Sequence, residues 1–270
     1  MAENQVILNR VLNRFKLSSV VATALLLAPV PFNGARVQGA NIADGLRQSA
    51  RQNLVTVPVQ LNGNPAVPFA LDSGASSTII NERLASKLRL QEGKTVVGYG
   101  AGIGPCTLRE LLEVRVSAGG NNVDSSAFAA SLEGLENFLE WPINGVVGGA
   151  LFLTHVVSID YRTRTAQISG MTNFVPRPND ARILVARSGL LYCVAHAEIQ
   201  LHEMHWPARL LIDTGALPFE IILTHEFAAR TTFTLDGGTE IMEVPGLCGS
   251  LAASCFGALE RLSSAPEIIR

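Results

Sequence analysis

The sequence predicts an all-β protein of two related lobes with a short helix in each, the second lobe incomplete. Three observations carry that prediction. From Leu54 onward apolar and polar residues alternate with a period of two, as in half-buried strands. The tetrapeptide DSGA at residues 72–75 recurs as DTGA at residues 213–216, each time directly after an apolar run. The surroundings of the two copies then repeat in one order, strand, strand, motif, strand and helix, which marks an internal duplication of about one lobe. The 24 glycines suit a chain of strands and tight turns.

The first lobe reads in order from residue 54. Val55, Val57 and Val59 alternate with Thr56, Pro58 and Gln60, and Asn62-Gly63 is a hairpin pair that tolerates positive φ. A second strand, Val67–Leu71, delivers Asp72 at its end. Thr78-Ile79-Ile80 is β-prone, and Asn81 is placed to cap a helix over residues 82–90. The glycine-rich run 96–105 offers two readings, a phosphate-binding loop or a hairpin tip. No strand-to-helix unit follows it, so the hairpin tip is favoured. Residues 108–116 are a strand candidate, Val146-Val147-Gly148 leads into residues 150–153, and residues 156–161 and 166–168 form a hairpin. The segment 171–182 carries Pro176, Pro178 and Asn179-Asp180 and reads as a linker. Beyond it, residues 197–201 and 206–212 are strands before the second motif. Residues 220–223 follow it as a strand, and Thr224 is placed to cap a helix over 225–230. The domain plan is therefore 54–170 for lobe one, 171–182 for the linker and 183–270 for lobe two, with 41–53 as a lead-in.

Composition narrows the function. With 270 residues, a net charge of -2 and scattered Lys and Arg, the chain has no basic patch for nucleic acid. A hydrophobic fraction of 47% is too high for a disordered chain. Cys106, Cys193, Cys248 and Cys255 contain no CxxC pair, and the HEMH at 202–205 lacks the spacing of a metalloprotease helix, so no metal site is predicted. Free thiols and one or two bridges are equally compatible with four cysteines, although Cys106 and Cys248 lie 34 and 35 residues after their respective aspartates. At the N-terminus Arg10, Arg14 and Lys16 precede an uncharged stretch, 17–32, with small residues near 37–39. Residues 1–40 thus read as a secretory signal or an N-terminal membrane anchor, and the protein as exported, periplasmic or secreted. A buried N-terminal helix is the alternative.

The chemistry lies in the repeated motif. A chance D-[ST]-G-A match in a chain of this length is on the order of one in a hundred, and two are far rarer. Leu71-Asp72-Ser73-Gly74-Ala75-Ser76, the helix after it, the glycine-rich tip and Val146-Val147-Gly148 together resemble the retropepsin-like bacterial branch of the aspartic protease superfamily. The resemblance covers most of 55–168 and, more loosely, 199–233. It implies two β-barrel-like lobes, in each of which the motif loop crosses an apolar-apolar-Gly strand. It implies an aspartic endopeptidase in which Asp72 and Asp213 are catalytic, sharing a proton and activating a water. Ser73 and Thr214 would lock the two loops together, while Gly74 and Gly215 turn the backbone and present amides to the carboxylates. Tyr99 and Gly100 would lie in a flap over a peptide or protein substrate, with packing of Tyr99 on its own hairpin as the alternative. The resemblance implies no cofactor and no metal.

The second copy departs from the pattern. Leu217-Pro218-Phe219 replaces Ser76-Ser77-Thr78. Val147 and Gly148 lie 75 and 76 residues after Asp72, and the same offsets from Asp213 are 288 and 289, past Arg270. Lobe two is therefore expected to lack its crossing strand unless another chain or a differently folded ending completes it. Three readings stay open: a two-lobed protease using Asp72 and Asp213, a homodimer pairing Asp72 with its twin, and an inactive peptide-binding module.

Overall fold

The computed structural model describes residues 22–24, 53–100, 104–123, 126–161, 163, 165–175, 185–188, 192–201, 204–216, 221–222, 227, 240–255 and 261–264. Strands dominate these residues, in agreement with the all-β expectation. The strands of the first half are β2 (Thr56–Leu61), β3 (Val67–Leu71), β4 (Thr78–Asn81), β5 (Glu92–Gly98), β6 (Cys106–Leu111), β7 (Val116–Ala118), β8 (Asn121–Val123), β9 (Ala127–Ala130) and β10 (Gly145–Val147). They form one sheet in the order β5-β6-β9-β4-β10-β3-β2-β7-β8.

Alternation sets which face each residue takes. In β2, Val57, Val59 and Leu61 are buried while Thr56, Pro58 and Gln60 are exposed. Pro58 stands opposite Pro68 in the β2–β3 pair, so the two residues without an N–H face each other. The Pro58 carbonyl accepts from the Gly119 amide instead. Asn62 and Gly63 both take positive φ, as their hairpin turn requires. Behind the sheet, Phe69, Leu71, Ile80, Val147 and Leu151 join the β2 valines in one core. Ala70, Ile79, Val146, Leu132 and Leu139 form a second cluster, on the other face of the same strands.

Among the described residues, three short α-helices lie between β4 and β11 (His155–Asp160). In α1 (Glu82–Lys87), Asn81 is the N-cap, its side chain accepting from the Arg83 amide. The helix stops three residues short of the expected end because Arg89 turns into the left-handed region at φ 52°. Helix α2 (Glu133–Leu139) has no counterpart in the sequence reading, since its N-cap, Leu132, makes no side-chain cap bond. Glu136 on α2 accepts from the Ile143 amide and pairs with Arg83, while Asn81 donates to the Ile143 carbonyl. That network holds α2 and the approach to β10 against the start of α1. Helix α3 (Gly149–Thr154) follows β10, and β11 (His155–Asp160) and β12 (Thr165–Gly170) form the expected hairpin.

In the second half β13 (Val185–Ser188), β14 (Tyr192–Leu201), β15 (Met204–Ile212) and β16 (Ile221–Ile222) share a sheet. The surprise lies in its centre. The strand between β15 and β16 is β1 (Ala22–Ala24), parallel to β15 and antiparallel to β16. Those are the relations of β10 to β3 and β4. Ala24 faces Ile212, the residue before Asp213, just as Val147 faces Leu71 before Asp72. The expectation of a missing crossing strand is thus corrected: residues from the N-terminal segment occupy its place. The rest of that segment lies outside the described residues, as does most of the predicted helix at 225–230. The half closes with the hairpin β17 (Glu240–Gly246) and β18 (Gly249–Cys255), and with β19 (Arg261–Ser264) against β14.

Candidate active site

Each motif loop leaves the end of a strand beside a crossing strand. In the first loop the Asp72 amide donates to the Val147 carbonyl at 3.1 Å, which pins the loop to β10. Asp72 Oδ1 then accepts from the Gly74 amide at 2.8 Å and the Ala75 amide at 3.0 Å. In the second loop Asp213 Oδ1 accepts from the Gly215 amide, also at 2.8 Å. The Gly148-Gly149 step after β10 must lie tight against the first loop. The Gly149 amide donates to the Ala75 carbonyl, and a Cβ on Gly148 would sit 2.5 Å from the Ala75 and Ser77 carbonyl oxygens.

The two loops are joined to each other. Ser73 Oγ donates to the Ile212 carbonyl at 2.7 Å, and Thr214 Oγ1 donates to the Leu71 carbonyl at 3.1 Å. Each hydroxyl also accepts from the opposite amide, Thr214 N–H to Ser73 Oγ at 3.1 Å and Ser73 N–H to Thr214 Oγ1 at 3.0 Å. Four bonds over two residues leave a nearly symmetric clasp, and Ser73 is only 4% exposed.

That clasp brings the carboxylates together. A Cβ on Gly74 would collide with the Asp213 carboxylate, and one on Gly215 with that of Asp72, reaching within 2.7 Å of its oxygens. Only glycine leaves the room that each carboxylate needs beside the other loop. Burial, the charge of Asp213 and a hydrogen bond between the two side chains hold the Asp72 pKa well above the usual carboxylate value. The amides of Gly74 and Ala75 pull the other way and are outweighed. One proton shared between the two acids relieves their repulsion, and the arrangement then offers an acid and a base side by side.

Other residues fall around this pair. Tyr99 is 79% exposed at the end of the β5–β6 hairpin, so it is not packed on its own hairpin. Gly100 lies beside it, and residues 101–103 of the tip are outside the described set. Tyr161, which the sequence reading placed only in a hairpin, has its phenol pKa raised by burial and by the charge of Asp213. Its aromatic type after an alternating strand gave no signal of that proximity. A cavity of about 420 Å³ opens between α2 and the β17–β18 turn, lined by Leu132, Leu135, Gly246 and Leu247 among others. Neither aspartate lines it. Among the described residues no cluster of His, Cys, Asp and Glu could hold a metal ion, and no helix is long and apolar enough to cross a membrane.

Comparison with known proteins adds one match. Residues 57–137 fit the family model described as aspartyl protease, a span from β2 through most of α2 that includes Asp72 and ends before β10. No curated protein matches the chain. With the first motif loop inside the matched span, the match supports a retropepsin-like aspartyl protease family for this part of the chain.

Proposed function

We propose that this protein is an aspartic endopeptidase whose catalytic pair is formed within one chain by Asp72 and Asp213. The observation that carries this reading is the reciprocal fit of the two loops, in which each motif glycine makes room for the other loop's carboxylate. The family match supports a protease-type function, and the pair supplies a chemistry for it.

In this mechanism a water lies between the two carboxyl groups, one ionised and one protonated. The carboxylate takes a proton from the water as its oxygen attacks the scissile carbonyl carbon. The protonated partner gives its proton to the carbonyl oxygen, yielding a neutral gem-diol. The C–N bond then breaks as the protonated carboxyl gives its proton to the nitrogen while the other carboxylate takes one from a diol hydroxyl, so the products are a carboxylic acid and an amine and the pair is again singly protonated. The substrate binds extended, its main chain alongside the β5–β6 hairpin. Export is part of the proposal, because the disulfide between Cys106 and Cys248 suits an oxidising compartment.

The test is cleavage of an unfolded protein by Asp72→Asn and Asp213→Asn, assayed separately. Both variants should be inactive while keeping the fold. Loss with Asp72→Asn alone, together with a dimer in solution, would replace this reading by a homodimer. A folded wild type with no cleavage across a broad pH range would leave a peptide-binding module.

A further inference from the structure

A third pair of equivalent residues bridges the lobes. Cys106 and Cys248, at nearly equal distances after their aspartates, are joined by a disulfide. Residues equivalent under an approximate two-fold touch each other only near its axis. Asp72 with Asp213 and Ser73 with Thr214 are two such pairs, and the disulfide is the third, so it stands close to the same axis.

Its side of that axis can be read from the packing. Asp72 Oδ1 accepts from the Ala75 amide, so the carboxylate lies beside Ala75. Ala70 belongs to the cluster with Ile79 and Val146, against which Ala75, Cys106 and Leu247 pack. The disulfide and the hairpin ends that carry it therefore lie on the carboxylate side. Cys106 opens β6 opposite Gly98, and Cys248 sits in the turn between β17 and β18. The two ends also touch directly: a Cβ on Gly100 would lie 3.3 Å from Leu247 Cβ and 3.5 Å from Cys248 Sγ.

Building on the protease reading, we propose that the Cys106–Cys248 bond straps the two hairpins together over the aspartates and sets the substrate class. The closed strap admits an extended chain only by threading a free end beneath it. Short linear peptides and loose termini qualify. A cyclic peptide does not, because a ring that extends past the strap on both sides would have to encircle it. Internal loops of folded proteins enter as two strands side by side and offer no free end to thread. Reduction by a dithiol opens the strap. One thiolate attacks a cystine sulfur, giving a mixed disulfide and releasing the other cysteine. The second thiolate then closes the reductant's own disulfide, and two electrons and two protons have passed to Cys106 and Cys248.

The experiment uses the full chain and one cleavable peptide in two forms, linear and head-to-tail cyclised, each about 20 residues long so that the ring exceeds an extended strand's reach across the site. Oxidised protein, dithiol-reduced protein and Cys106→Ser/Cys248→Ser are compared, with the bond state checked by intact mass after thiol alkylation. The oxidised protein should cut the linear form and cut the ring at least tenfold more slowly, a difference that disappears in the reduced protein and in the double variant. Equal cutting of both forms by oxidised protein overturns the strap, and so does a ring that stays uncut once the bond is gone. If no form of the protein cuts either peptide, the protease reading itself fails and the strap's role falls with it.

Discussion

Ser73 and Thr214 hold each other's loop through two hydroxyl-to-carbonyl and two amide-to-hydroxyl bonds, across a sequence separation of 141 residues. The clasp converts two separate strand ends into one site, because it fixes the distance between the aspartates that precede the hydroxyls.

Removing either hydroxyl should therefore act on both lobes. Ser73→Ala leaves the Ile212 carbonyl and the Thr214 amide without these partners, at a cost of about 1–3 kcal/mol for a buried group left unpaired. Thr214→Ala should cost a similar amount. A double-mutant cycle in urea should show coupling of about 1 kcal/mol or more, because the two share one network. Additive losses would mean that the clasp does not act as a unit.

Glycine substitutions separate crowding from mere flexibility. Gly74→Ala and Gly215→Ala each push a methyl into the partner loop's carboxylate. A displacement of about 1 Å at reacting groups can lower turnover about a hundredfold, and kcat should fall by at least that much. A Cβ added to Gly134 in α2 would meet nothing within 4 Å. Gly134→Ala should leave kcat unchanged and raise stability by about 0.5–1 kcal/mol through helix propensity. Steady-state kinetics and thermal melts check both.

The raised pKa of Asp72 has a sign that can be measured. Folded Asp72 keeps its proton to a higher pH than the unfolded chain, so between the ordinary value of 3.8 and the raised one the folded state binds more protons. Stability should fall as pH rises through that window and level off above it. Asp72→Asn should flatten this slope and stabilise the protein at neutral pH, with a rise in Tm of about 2–4 °C for each kcal/mol gained. Urea midpoints from about pH 4 to pH 7 decide the matter.

The same proton governs turnover. Ala75 and Ala216 carry no hydroxyl to stabilise an ionised carboxylate, and Asp72 is already poised high. Activity should peak in mildly acidic to near-neutral solution and fall on the basic side as the pair loses its shared proton. A pH–rate optimum below about 3 would contradict this.

Deleting residues 1–40 tests the strand at Ala22–Ala24. Without it β15 and β16 lose the partner that lies between them. The second lobe should then open to proteases at lower temperature than the first, and cleavage activity should drop. Pulse proteolysis with mass mapping reads which lobe yields first. Unchanged protection of 192–212 would show that the strand is dispensable.

Local chemistry made much of this legible. The alternation in β2, the turn at Asn62-Gly63 and the cap at Asn81 depend on neighbours a few residues apart, and they are visible in the string of letters. Helix α2 escaped because Leu132 supplies no capping side chain and Gly134 weakens the helical pattern. The apolar run around Ala22–Ala24 gave no sign of its pairing with β15, because hydropathy carries no record of a partner nearly two hundred residues away. The pairing of Cys106 with Cys248 was undetermined for the same reason, even though their matching offsets were plain.

By itself, then, the sequence determined the two aspartate motifs, the strand-rich lobes that carry them and the hydroxyl and glycine types each loop needs, since these follow from short-range pattern and side-chain chemistry. Only the tertiary structure decided that the two loops clasp within one chain, that Ala22–Ala24 takes the vacant central strand, and that a disulfide ties the hairpins together. Those are contacts between distant segments, chosen by which unpaired backbone edges and apolar faces can cover one another once both lobes exist.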